Sequence, residues 1–79
     1  MATEDIVRDI VTRITRKDTS QFTSTATFKD FEADSLDIVQ ILVALEDEFD
    51  IEILDEELQN ITNMGGFVAY IEGKITEKG

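Results

Sequence analysis

The sequence predicts an all-α fold: a small four-helix bundle with a long first loop and a short third helix. Two observations carry that prediction. Apolar residues recur at helical spacing in long stretches, and no strand-like alternation persists anywhere. A third observation sets the scale. At 79 residues and 42% hydrophobic content there is enough for one modest core and no room for a second, so residues 1–79 are read as a single domain.

Each element follows in order. Ile6, Val7, Ile10, Val11 and Ile14 share one face of a first helix over roughly residues 4–16. Glu4, Asp5 and Asp9 lie early in it and Arg13, Arg16 and Lys17 late, which suits the helix dipole. Six Ser or Thr within Thr19–Thr27 mark a long loop, which Phe22, Phe28 and Phe31 are expected to pin to the core. A second helix runs from about Ser35 to Asp50, with Asp34 as its N-cap and Asp37 in a capping-box position. Leu54–Leu58 reads as a short third helix capped by Asp55. Thr62 or Asn63 caps a last helix through Phe67, Val68 and Ile71, whose first turn Gly65 and Gly66 weaken.

The second helix has two apolar faces. At ~100° per residue, Ile38, Ile41, Leu42, Leu45 and Phe49 fall on one arc, the core side. Leu36, Val39 and Val43 fall roughly opposite, among Gln40, Asp47 and Asp50. Either the third helix or the loop covers them, or they form a small apolar patch rimmed by carboxylates, as transient interfaces do.

Composition excludes several functions. The chain has 18 acidic residues, 7 basic ones and no His, for a net charge of −11. That balance argues against nucleic acid or an anionic membrane as the main partner, since both call for a basic face, and the longest apolar run, Ile41–Leu45, is far too short for membrane insertion. The twelve acids of residues 30–60 face no base in that segment, which reads as a docking surface for basic partners. Without Cys or His there is no thiolate nucleophile, no triad and no zinc site built on those residues, so an enzyme is not expected. The pattern of a calcium-binding EF-hand loop is missing too, and no metal site is assigned. An acidic N-terminus and the lack of a long apolar run point to a soluble, cytoplasmic protein, and with no sign of oligomerisation in the sequence a monomer is expected.

Ser35 opens the second helix, where unpaired N–H groups and the dipole tolerate a phosphate. Taken alone, Asp34-Ser35-Leu36 says little. It is joined by Asp37, Val39, Ala44-Leu45-Glu46-Asp47-Glu48-Phe49, Glu52-Ile53, Asp55-Glu56-Glu57, Ile61-Thr62 and Tyr70-Ile71. Over about Asp30–Ile71 this pattern resembles the acyl carrier proteins. The resemblance implies a four-helix bundle whose Ser35 is esterified with 4′-phosphopantetheine from coenzyme A by a phosphopantetheinyl transferase. It implies that the arm's thiol carries acyl intermediates as thioesters to enzymes of fatty acid synthesis. Those enzymes, with basic docking patches, are expected to recognise Asp34, Leu36, Asp37, Val39, Val43, Glu46 and Asp47. The resemblance also implies that Ile41, Leu42, Leu45, Ile53 and Ile61 shelter the acyl chain. A polyketide-type or aminoacyl carrier, or an unmodified acidic interaction module, are the alternatives.

The chain departs from the family pattern at particular places. Glu32 stands where the family usually has Gly, which predicts a different backbone path into Ser35. Gln40 replaces a common Glu, Val43 a common Met and Leu54 a Pro. Gly65-Gly66 is unusual at the start of the last helix.

Overall fold

A computed structural model describes residues 2–78 of the protein. Among them four α-helices follow one another: α1 (Thr3–Thr15), α2 (Ser35–Phe49), α3 (Asp55–Leu58) and α4 (Met64–Lys78), with a 3₁₀ turn at Thr19–Gln21 and no strand. α1 packs against both α2 and α4 and is the centre of the bundle's core. Val7, Ile10 and Val11 from α1, Ile41, Leu42 and Leu45 from α2, and Met64, Phe67, Val68 and Ile71 from α4 are all buried there. Ile38 and Phe49, also on the predicted core arc of α2, are half-buried against it.

The first loop is anchored as expected. Phe31 is fully buried, and Phe22 tilts against it with ring centroids 6.1 Å apart. Phe28 meets Phe67 edge-on at 5.3 Å, a favoured aromatic geometry. The loop also reaches the start of α4 through its backbone. The Met64 amide donates to the Ala26 carbonyl at 2.7 Å and the Gly65 amide to that of Ser24 at 2.9 Å. These satisfy two of the amides that a helix N-terminus leaves without intrahelical partners.

That contact gives Gly65 its reason. A Cβ placed there would stand 3.0 Å from the Ser24 carbonyl oxygen and 3.1 Å from the Ser24 Cβ. Between the two predicted caps, the structure selects Asn63, whose Oδ1 accepts from the Gly66 amide at 2.8 Å. The cap expected on the third helix is corrected: Asp55 is its first helical residue, and Leu54 occupies the N-cap with no side-chain hydrogen bond. A Leu has no acceptor to offer, so α3 starts uncapped.

Three turns close on non-glycine residues in the left-handed region: Arg16 (φ 61°), Glu32 (φ 56°) and Asp50 (φ 54°). Arg16 terminates α1 and Asp50 terminates α2, one residue short of the predicted ends. Around each, the following amide returns to a carbonyl five residues back: Lys17 to Thr12 at 3.0 Å, Ala33 to Phe28 at 3.1 Å and Ile51 to Glu46 at 3.2 Å. This is the Schellman closure, whose central position glycine usually takes.

Candidate functional site

Asp34 sets up the N-terminus of α2. Its backbone is extended, and its Oδ1 accepts from the Asp37 amide at 2.9 Å. The Asp37 carboxylate reaches back to the Asp34 amide at 3.4 Å, completing the predicted capping box. Asp34 also accepts the Ile38 amide on its carbonyl at 3.0 Å. The amides of Ser35 and Leu36 are left without an acceptor among the described residues. Ser35 is therefore the first helical residue and not the cap, and its side chain is exposed. An exposed hydroxyl that the cap does not need, beside two free amides, suits a phosphoester. The carboxylates of Asp34 and Asp37 oppose that added charge, but both amides and the dipole favour it, and solvent screens the repulsion.

Next to Ser35 the outer face of α2 is open. Leu36 is 63% exposed, Val39 54% and Val43 57%, and neither the loop nor α3 covers them. Asp34 and Asp47 are exposed and Asp37 half-buried around this strip, and no ion pair among the described residues engages them. Glu46 differs from these. It is half-buried, and its Oε2 accepts from the Ile53 amide at 2.8 Å, tying the end of α2 to the segment before α3. Sequence reasoning missed that bond, as it missed Leu54, which is 38% exposed.

Bases from outside the acidic segment also reach into it. Lys78 pairs with Asp50 at 3.2 Å, Lys74 with Glu57 at 2.9 Å, and Lys17 with Glu32. The Lys17 hydrogen bond and its charge hold the Glu32 carboxyl below the usual carboxylate range. On α3, the Tyr70 hydroxyl donates to Glu57 at 2.6 Å and accepts from the Leu54 amide at 3.4 Å. The Tyr70 and Lys74 hydrogen bonds lower the Glu57 pKa, while burial and then the Glu57 bond raise that of Tyr70. Lys74 is raised in turn, first by its hydrogen bond to Glu57.

Of the residues expected to shelter a chain, Ile41, Leu42, Leu45 and Ile53 are buried in the closed core and Ile61 is half-buried beside it. A hollow of about 400 Å³ lies elsewhere, between α1 and α2, lined by Ile6, Asp9, Arg13, Ala44, Asp47 and Glu48. The described residues hold no group of His, Cys, Asp or Glu arranged to bind a metal ion.

Comparison with known proteins agrees with this geometry. Residues 5–71 match the family model described as a phosphopantetheine attachment site. An acyl carrier protein of Helicobacter acinonychis is 44% identical over 73 residues, spanning 91% of this chain and 94% of that protein. One from Helicobacter pylori strain J99 is 42% identical over the same length and coverage. The solution structure of a holo acyl carrier protein from Geobacter metallireducens superposes with a TM-score of 0.84 at 26% identity, covering 99% of this chain and 91% of that one.

Proposed function

Since the chain belongs to the acyl carrier protein family, a family of carriers and not of enzymes, we propose that it holds acyl intermediates of fatty acid synthesis on a phosphopantetheine arm esterified to Ser35. The observation that supports this site is the exposed Ser35 hydroxyl, one residue past a cap completed by Asp34 and Asp37. The arm supplies a terminal thiol that carries the acyl group as a thioester, chemistry that a chain without Cys does not itself possess. The protein's own part is to hold Ser35 at a rigid helix end and to present a face beside it.

That face is Leu36, Val39 and Val43 within the rim of Asp34, Asp37, Glu46 and Asp47. Its partners are a phosphopantetheinyl transferase and enzymes of fatty acid synthesis bearing basic patches. Apolar contact holds such a partner, while the carboxylates steer its approach. The acting unit is a single domain over residues 1–79, a cytoplasmic monomer. Among the described residues no helix is long and apolar enough to cross a membrane.

The test is intact-mass measurement after incubation with coenzyme A and a broad-specificity transferase. One phosphopantetheinyl group per chain is expected, and none on Ser35→Ala. Addition that survives Ser35→Ala moves the site elsewhere. For the pathway, protein isolated from its native host should carry fatty acyl or malonyl groups on the arm; aminoacyl cargo would overturn that assignment.

A further inference from the structure

The segment that delivers the chain to Ser35 has no slack. Thr27 and Asp30 lock its start, with the Thr27 amide donating to Asp30 Oδ2 at 2.9 Å and the Asp30 amide to Thr27 Oγ1 at 3.1 Å. Phe31 anchors its middle in the core. Its end turns on Glu32, whose amide donates to the Lys29 carbonyl at 2.9 Å while the Ala33 amide donates to Phe28 at 3.1 Å. Two residues later Asp34 caps α2. Every joint but one also rests in a relaxed conformation. The exception is Glu32 at φ 56°, a conformation that a residue with a Cβ disfavours and glycine does not. Glu32 is exposed, so packing does not hold it there. Its side chain instead pairs with Lys17, just past the end of α1. Lys17 is in turn fixed by its amide on Thr12.

We propose that the Lys17–Glu32 ion pair is the device that holds this turn left-handed and so positions Ser35 for attachment of the arm. Lys17 and Glu32 are positioning residues: neither touches the reacting hydroxyl. The inference rests on Ser35 being the attachment site. Cut the pair, and the strained turn samples other backbone states, which moves the cap and the first turn of α2 with it. Replace Glu32 by Gly, and the turn no longer needs the pair.

The experiment follows kcat/KM for arm transfer from coenzyme A by intact mass, at low salt, with each variant first shown to be folded by circular dichroism. Lys17→Ala and Glu32→Ala should each slow transfer by about 3–10-fold, the range expected when a reacting group is held less well. Glu32→Gly should stay within about twofold of the unaltered protein, and the double variant Lys17→Ala/Glu32→Gly should recover to the same level. Amide exchange at Glu32 and Ala33 should quicken in Lys17→Ala and return to normal in the double variant. A double variant as slow as Lys17→Ala would mean that Lys17 meets the transferase directly, which overturns the proposal. Wild-type rates in both alanine variants overturn it as well. Failure of the Ser35 reading looks different, because then the unaltered protein takes no arm or Ser35→Ala still takes one.

Discussion

Gly65 and Gly73 lie in one helix and predict opposite outcomes. Alanine is the better helix former by about 1 kcal/mol, and at Gly73 a Cβ meets nothing within 4 Å. Gly73→Ala should therefore stabilise by about 0.5–1 kcal/mol. At Gly65 the added Cβ stands 3.0 Å from a backbone oxygen that the Gly65 amide itself binds, so relief requires the loop to withdraw. Gly65→Ala should destabilise by roughly 1–2 kcal/mol despite its better propensity, as overpacked sites do. Chemical denaturation of both variants checks the pair, and equal signs would refute this account. The sequence marks Gly65 only as a weak point of a helix, because propensity is local and the clash belongs to a loop some forty residues away. Glu32 shows the same limit. A glycine-favouring position filled by Glu predicts a detour; the residue stands at φ 56°, and the lysine that receives its carboxylate lies fifteen residues earlier, beyond the reach of local patterning.

At the scale of the element, all four helices are readable, but what holds the short one is not. α1 and α2 carry their own periodicity, and α2 carries its cap at Asp34 and Asp37, so the core sides and the first residue of α2 are readable, while only the structure shows that the opposite face of α2 is uncovered. α3 has four residues, too few to be stable from local propensity, and its expected cap at Asp55 does not form. What holds it comes from α4: the Tyr70 hydroxyl on Glu57 and on the Leu54 amide, and Lys74 on Glu57. Tyr70→Phe should cost about 1 kcal/mol, the worth of a hydrogen bond of this kind, and should speed amide exchange in α3 more than in α1 or α2. The pH dependence has two signs. Glu57 is depressed below 4.5, so its contribution is present above that pH and is lost as pH falls through the depressed value. Tyr70 and Lys74 are raised above 10.0 and 10.5, so theirs are present below those values and are lost as pH rises past them. The melting-temperature gap between the unaltered protein and Tyr70→Phe should thus be flat from about pH 5 to 9.5 and narrow on both sides. A gap that persists undiminished below pH 3 would assign it to the bond from the Leu54 amide and not to the one to Glu57.

Across the whole molecule, charge acts against the fold and for the encounter. A net charge of −11 on a chain whose Cα radius of gyration is 11.5 Å means strong self-repulsion. Folding relieves part of it by bringing Lys17, Lys74 and Lys78 from the flanking segments onto Glu32, Glu57 and Asp50. This relief is invisible in a segment-by-segment count, because the pairing spans the bundle. Exposed pairs of this sort contribute little each, and Asp34, Asp37 and Asp47 stay unpaired among the described residues. On the function proposed above, the same unpaired carboxylates that strain the fold are those that would draw in a basic partner. Added salt should therefore push two observables in opposite directions. Raising sodium chloride from about 0.01 to 0.2 M shortens the screening length from roughly 30 to 7 Å, which should raise the melting temperature by several degrees. Over the same range the association rate with a transferase should fall by about tenfold or more, since steering is screened by the same ions. Scanning calorimetry and stopped-flow mixing measure the two. A salt that stabilised by water structure alone would raise the melting temperature while leaving association untouched, so sulfate and chloride compared at equal ionic strength separate the causes. If the melting temperature stays flat while association slows, the acidic face steers partners without straining the bundle.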